Sequence, residues 1–529
     1  MSTPSLLPPD PLSRRTALRA AGAGALLLGA GGALTGCRSA VSADDKAAGG
    51  PRRGGSVTIA INQDFTPALL FTQSGVSLQN RLIYNTLTRY DDELKPQPEL
   101  ATSWTYAADG KSITLKLRDD VTYHDGRPFT ADDVIFAVRN LLKPERSAQL
   151  ASTAKAVTGF EKRGDHEVVL KLAHPVSNLF DLFEFMIIAD RHTVDEAVKG
   201  TKLNGTGPFR FVKWRPGTGL SLTRNDKYWI PGRPYLDKVE LLVYTQPDAL
   251  LSALRSGQAQ LSYQVPGRQL STVKDNSAFR IREYDTGSGA VYVGATVTKA
   301  PANDKDFRQA VAWAVDRDRV VAQALGGFGL ASAVPWPRSS PAYSEANRTH
   351  YRHDPARARE LLKSSGFSTK QTVPLGHPTT PLHVAIAEIV QYDLKQIGIK
   401  TELEPSDPAA FQTKLITGTM PTLWINSHSF SQVQPATLAV SAYPFNEAKN
   451  TSHFSSAEYT KVVQEVWRRK EADGAAANAS YQQVSDVLLD EAFIIDLAVL
   501  DSVQVAAEKL HGPELTPFSY LNLDNAYLD

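Results

Sequence analysis

One cysteine stands in 529 residues, Cys37. A lone thiol closes no intrachain disulfide and builds no cysteine metal cluster, so the fold rests on an ordinary hydrophobic core. Excess charge is missing too. Lys and Arg total 57 against 56 Asp and Glu, a balance that offers no basic field for nucleic acid or an anionic membrane surface. No run reaches the roughly 20 apolar residues that a membrane-spanning helix needs. The motifs that mark common enzymes are also absent: no Gly-x-Ser-x-Gly elbow, no His-Glu-x-x-His, no Cys/His zinc spacing and no dinucleotide fingerprint. Asp109-Gly110-Lys111-Ser112 contains a Gly-Lys-Ser, but Thr105 stands where a Walker A loop needs Gly. His377 and His383 are separated by Pro378 and Pro381, a spacing that does not place both on one helix face. The sequence therefore argues against an enzyme and calls for no cofactor. The enzymatic alternative that survives is an extracellular hydrolase whose Ser, His and Asp come from distant segments, and a second alternative is a lipoprotein scaffold for a membrane complex.

What is present begins at the N-terminus. Arg14, Arg15 and Arg19 form a basic region, and Ala20 to Ala33 form a weakly apolar stretch whose strongest cluster is Leu26, Leu27 and Leu28. That is the layout of a secretory signal peptide. Ser13-Arg14-Arg15-Thr16-Ala17-Leu18 resembles the twin-arginine export signal. The stretch ends in Leu34-Thr35-Gly36-Cys37, the pattern of a bacterial lipoprotein cleavage site. Residues 1–36 are therefore expected to be removed and Cys37 to become the acylated first residue, anchoring an extracytoplasmic protein to the outer face of the cell membrane. Residues 37–54 are small, polar and Gly/Ala-rich, a composition that buries too little apolar surface to fold and reads as a disordered tether.

Behind the tether lies a large folded body. Its length predicts two or three domains at about 150 residues each. Ser56-Val57-Thr58-Ile59-Ala60-Ile61 reads as a strand, and Leu78, Leu82 and Ile83 place a helix near 78–86. Asp109-Gly110 turns the chain into the alternating strand Ser112 to Arg118, and His124-Asp125-Gly126 makes a second turn. Thr130 then caps a helix with Asp133 at the capping-box position, and Val134, Ala137, Val138 and Leu141 give that helix an apolar face. His124 is read as a turn residue rather than a catalytic one. Gly205-Thr206-Gly207 is read as a turn into Phe209-Arg210-Phe211-Val212 rather than a phosphate loop, because Pro208 follows it.

Taken in order, these marks resemble the large extracytoplasmic solute-binding proteins of ABC importers for oligopeptides, dipeptides and nickel. The resemblance runs from Leu100-Ala101 and Trp104 through His124-Asp125-Gly126 to Phe136. It continues through Gly205-Thr206-Gly207-Pro208-Phe209, Asn225-Asp226-Lys227-Tyr228-Trp229, Phe307-Arg308-Gln309-Ala310, Ala314-Val315-Asp316-Arg317, Asp354-Pro355-Ala356-Arg357-Ala358, Gly366-Phe367 and Leu394-Lys395-Gln396-Ile397-Gly398-Ile399. It implies an α/β fold of the two-lobed periplasmic-binding-protein type II with an extra inserted domain. By order, 52–90, 205–295 and 490–529 would form lobe one, 91–204 the insertion and 296–489 lobe two. The implied partners are a peptide or other small solute and an ABC permease with its ATPase, met by a monomer through its lipid anchor. Ligand contacts in this family cluster at positions that here are Asn62, Gln63, Asp64 and Phe65, then Tyr292, then Trp424, Asn426 and His428, with Tyr443 as a further candidate.

One departure bears on the ligand. Peptide-binding members commonly hold the peptide's amino group with a carboxylate after the lobe-two Trp, yet Pro408 to Asn446 contains no Asp or Glu. Asn426-Ser427-His428-Ser429 stands there instead. The resemblance thus leaves two ligand classes, a peptide anchored elsewhere, for example by Asp64, and a nickel or metallophore complex that His428 would reach.

Overall fold

The computed structural model describes residues 50–529 apart from 73–78, 147, 271, 430–433, 471 and 473, and of residues 268 and 285–288 it describes the backbone alone. The signal peptide, Cys37, nearly all of the tether and Leu78 lie outside the described residues. No helix among the described residues is long and apolar enough to cross a membrane.

An 11-stranded mixed sheet organises the chain. Numbered in chain order along its main path, its strands are β1 (Ser56–Ile61), β2 (Phe209–Arg215), β3 (Gly219–Arg224), β4 (Lys238–Val243), β5 (Leu261–Ser262), β6 (Phe279–Ala295), β7 (Thr372–Pro378), β8 (Lys400–Ser406), β9 (Leu423–His428) and β10 (Ile494–Ala507). They run side by side as β8-β7-β9-β6-β10-β5-β1-β4-β3-β2, and the short strand Leu330–Ala331 pairs with β10. Strands β6 and β10 are the long ones, at 17 and 14 residues. Their antiparallel register runs from Phe279↔Ala507 to Tyr284↔Ser502 and resumes at Gly289↔Leu500. Residues 285–288 thus face Asp501 alone. An irregularity of this size breaks the ladder and bends the ribbon locally.

Two hydrophobic cores meet at that break. One draws on Val57, Leu241, Leu261, Ala506 and Leu523, with Ala60, Leu250, Val503 and Val505 in a satellite cluster; the other runs from Val291 and Phe307 to Leu423, Ile494 and Ala498. The predicted strand at 56–61 and the helix capped at Thr130 are both present, and the Asp133 carboxylate accepts the Thr130 N–H at 3.0 Å. The strand predicted over Ser112 to Arg118 ends at Leu117. Within residues 91–204 a four-stranded antiparallel sheet, Ala101–Tyr106, Ser112–Leu117, Glu167–Leu172 and Val157–Lys162, packs with the helix Ala131–Leu141 into the first core.

The helix predicted near 78–86 is shorter, Asn80–Ile83. The Ile83 carbonyl accepts the Gly207 N–H at 2.9 Å, and Tyr84 turns to extended geometry. A Cβ on Gly205 would stand 2.1 Å from that carbonyl oxygen, and one on Gly207 2.7 Å. Only glycine lets the two segments approach this closely. His124 locks the same junction. Its Nε2 donates to the Gly207 carbonyl at 3.0 Å, and burial drives its pKa down to about 4, so it is neutral and structural at physiological pH.

Candidate ligand cleft

Each half of the sheet repeats one order. On one side the parallel strands β1, β4 and β5 lie as β4-β1-β5, and on the other β7, β8 and β9 lie as β8-β7-β9. In chain order both read second, first, third. The order in which successive strands are laid down reverses between the first and third strands of such a sheet, and the crevice beyond their carboxyl ends is where ligands bind in open α/β folds. Here those crevices lie after Ile61 and Ser262 in one half and after Pro378 and His428 in the other.

Asn62, Gln63, Asp64 and Phe65 follow directly on β1, at the carboxyl end beside the first switch point. Asn62 N–H donates to Gln264 Oε1 at 2.6 Å, bridging the two strand ends, while the Asn62 and Gln63 side chains are exposed. Asp64 holds its own scaffold together, since its carboxylate accepts Trp214 Nε1–H at 3.1 Å and Gly217 N–H at 2.7 Å. Phe65 is buried, edge-on to Trp214 at 5.8 Å. Asn62 and Gln63 thus present exposed polar side chains, whereas Asp64 and Phe65 hold the loop to the β2–β3 hairpin.

On the other side, Asn426 and Tyr292 are cross-strand partners, and Asn426 Nδ2–H donates to Tyr292 Oη at 3.4 Å. Phe445 joins Tyr292, at 6.3 Å between ring centroids, to His428, at 6.0 Å. Asn426 and Tyr292 are buried, His428 is half-buried at the end of β9, and Tyr443 is half-buried two residues before Phe445. Burial pushes the Tyr292 hydroxyl well above its ordinary pKa, so it remains a neutral donor. Trp424 is fully buried over Gly294, where a Cβ would come within 2.2 Å of its ring, and its place is in the core.

The structure adds Asp496, Thr380, Tyr263 and Tyr284, which the sequence did not single out, and sets His383, noted there with His377 for its spacing, beside Thr380. Asp496, on β10, is the cross-strand partner of Tyr292 on its other side, so Asn426, Tyr292 and Asp496 form one polar row over three strands. Asp496 is 1% exposed, and burial holds its carboxyl well above the usual range, with Arg317 as the opposing charge. At the end of β7, Thr380 caps the helix Pro381–Gln396 and its hydroxyl meets His383 Nδ1 at 2.6 Å. Burial, then His377, lower the His383 pKa to about 4. Beside the register break, Tyr263 and Tyr284 stand 6.5 Å apart with Arg282 over the Tyr284 ring. Only the pairing of distant strands brings Asp496 to Tyr292 and Tyr263 to Tyr284, whereas Thr380 and His383 meet locally at the helix cap.

Comparison with known proteins places this architecture. The family model for bacterial extracellular solute-binding proteins, family 5 Middle, matches residues 95–448. The oligopeptide-binding protein AppA of Bacillus subtilis (strain 168) is 27% identical over 400 residues, covering 70% of this chain and 73% of that protein. Its solved structure, in complex with a nonapeptide, superposes with a TM-score of 0.79 at 22% identity over 91% of this chain and 100% of that one. NikZ from Campylobacter jejuni in complex with Ni(L-His) superposes with a TM-score of 0.75 at 20% identity, over 88% and 97% of the two chains. The fold is thus that of the two-lobed periplasmic binding proteins, and the chain belongs to the bacterial extracellular solute-binding proteins of family 5, which are transport components and not enzymes.

Proposed function

We propose that this protein is the lipid-anchored substrate-binding component of an ABC importer, capturing a peptide between two lobes and delivering it to a permease driven by an ATPase. Residues 52–90, 205–295 and 490–529 serve as one lobe, 296–489 as the other and 91–204 as an insertion in the first. The observation that carries the reading is the pair of crevices with the same strand order, joined by β6 and β10 with the register break between them. A ligand touching Asn62 and Gln63 on one side and Asn426 and His428 on the other gains both sets of contacts only when the lobes are closed, so its binding biases the molecule toward closure. The exported chain works as a monomer, and the acyl group on Cys37 keeps it beside the permease, where a free carrier would be diluted.

A nickel or metallophore complex is the second reading. It is favoured by the run Asn426-Ser427-His428-Ser429 and by the lack of any carboxylate between Pro408 and Asn446. Among the described residues no group of three or more His, Cys, Asp or Glu is arranged to hold a metal ion. In this reading the chelator fills most metal positions and His428 completes the set.

Calorimetry with a mixed di- to pentapeptide library, and separately with Ni²⁺ plus free histidine, separates the two. Peptide capture predicts saturable binding of library members, on the order of micromolar, that survives acetylation of the peptide amine, because no carboxylate stands at the family's amine-binding position. Abolition of binding by acetylation would contradict that argument. Heat from the nickel complex alone, lost in His428→Ala, would transfer the assignment to the second reading.

A further inference from the structure

Away from the ligand crevices, a buried chain of hydrogen bonds joins the inserted segment to lobe two. Trp467 Nε1–H donates to Asn178 Oδ1 at 3.0 Å, and Asn178 Nδ2 donates to Thr153 Oγ1 at 2.9 Å and to Thr437 Oγ1 at 2.8 Å. The Thr437 hydroxyl donates in turn to Asp181, whose other oxygen accepts the Tyr90 hydroxyl at 2.9 Å. Alongside, Ser177 donates from N to the Trp467 carbonyl at 3.0 Å and from Oγ to the Val466 carbonyl at 2.9 Å, and the His174 ring stands edge-on to Trp467 at 4.9 Å. Thr153, Asp181 and Thr437 are 0% exposed.

The two sides of this contact belong to different bodies. Asp181 and Asn178 are fixed to the first core: on the helix Leu179–Phe185, Glu184 pairs with Arg81 at 2.6 Å. Thr437 and Trp467 sit on or beside the second core, in helices Pro435–Ser441 and Ala457–Trp467. No covalent segment links them here, because the chain passes between the cores at β6 and β10.

We propose that Asn178, Asp181 and Thr437 form a clasp that assembles when the lobes close and sets, together with the ligand, how much of the protein is closed. The proposal rests on the two-lobed reading given above. Asn178 and Asp181 keep Thr153 and Tyr90 as partners on their own body, but the side-chain bonds described for Thr437 and Trp467 all go to the other body. Parting the bodies hands these crossing groups to water, and removing one of them leaves its buried partner unmatched in the closed form alone.

The clasp also senses protons. Burial, offset by the hydrogen bonds from Thr437 and Tyr90, pushes the Asp181 carboxyl up to about 7. The titratable and charged groups on the elements packed around it are Glu184 with its partner Arg81, Tyr90 and Tyr106, and the exposed Arg89 and Lys155. On the lobe-two side the helix Pro435–Ser441 carries no charge, and Glu458, Lys461 and Glu465 of the neighbouring helix are exposed. Solvation in the open form returns Asp181 toward the usual carboxylate range. Closing then takes up a proton between the ordinary carboxylate range and about 7, so the closed form gains progressively as pH falls below about 7, while above it both forms are ionised and the ratio levels off.

Pulsed EPR on the ligand-free chain tests this, with Cys37→Ser and nitroxide labels at Lys171→Cys and Lys461→Cys, both exposed positions. The expected result is a short-distance population that grows from pH 8.5 to pH 6. Thr437→Val should cut the closed-to-open ratio by about tenfold or more, and Asp181→Asn should remove the pH dependence. If Thr437→Val does not fold, Ser177→Ala, which removes only the bond to Val466, should shift the same population by less in the same direction. Distance distributions that are identical in the parent and the variants at both pH values overturn the clasp. That result would leave peptide binding, measured by calorimetry, standing on its own.

Discussion

Arg81→Met is expected to lower the melting temperature by roughly 3–5 °C, the consequence of about 3–5 kcal/mol lost when a buried charge pair is broken from one side. Arg81 is 8% exposed and lies between Glu99 and Glu184, at 7% and 0%, with 2.6 Å to each. Burial opposes its charge, but the two carboxylates more than offset that and hold its pKa above the ordinary value. The carboxylates are themselves engaged. Glu99 accepts Asn85 Nδ2–H at 2.8 Å and the Thr86 hydroxyl at 2.7 Å, and Glu184 accepts the Tyr90 N–H at 3.0 Å. Removing the cation therefore strands two acids at the seam between the inserted segment and the first core. Calorimetric unfolding of the variant measures the loss, and Arg81→Met combined with Glu184→Gln should recover part of it. An unchanged melting temperature would show that the seam is held by its apolar contacts alone.

Cys37→Ser is expected to move nearly all of the protein from the membrane fraction to the soluble extracytoplasmic fraction without altering its melting temperature. The chain has no second cysteine, so no disulfide is lost with the thiol. Firm anchoring takes more than one acyl chain, and in this reading all of the lipid is carried by Cys37, so failure to modify that residue removes the whole attachment. Immunoblots of fractionated cells report the result, and an unchanged membrane fraction would refute the anchor. Replacing Arg14 and Arg15 by Lys tests the export route in the same cells. Precursor retained inside supports twin-arginine export, and normal export assigns the general secretory route.

Much of the architecture was legible because its marks are local. Ser56 to Ile61 alternates as a strand must, Thr130 and Asp133 supply a capping pair, and the glycines at 205 and 207 stand where the chain touches the Ile83 carbonyl. Local turn and capping chemistry is readable in one dimension. The surroundings of the candidate cleft residues were legible only in part. Asn62, Gln63 and His428 lie at or just beyond strand ends and Asn426 lies within β9, but strand alternation cannot say which face of β6 or β9 meets the core, and Tyr292 and Trp424 are fully buried. Asp496 lies 70 residues beyond Asn426 in sequence and joins it through Tyr292 only because β6 pairs with both β9 and β10. Long-range register carries that information, and no single segment encodes it. The short helix at Asn80–Ile83 has the same origin, a carbonyl claimed by a distant glycine.

Capture by closure is tested most directly by small-angle X-ray scattering of the protein with and without a saturating peptide taken from the library that binds it. Closure of the lobes about residues 285–288 and 500–502 predicts a smaller radius of gyration and a shorter maximum dimension with peptide bound, accompanied by a rise in melting temperature as peptide concentration passes Kd. Saturable binding with superimposable scattering curves would contradict it.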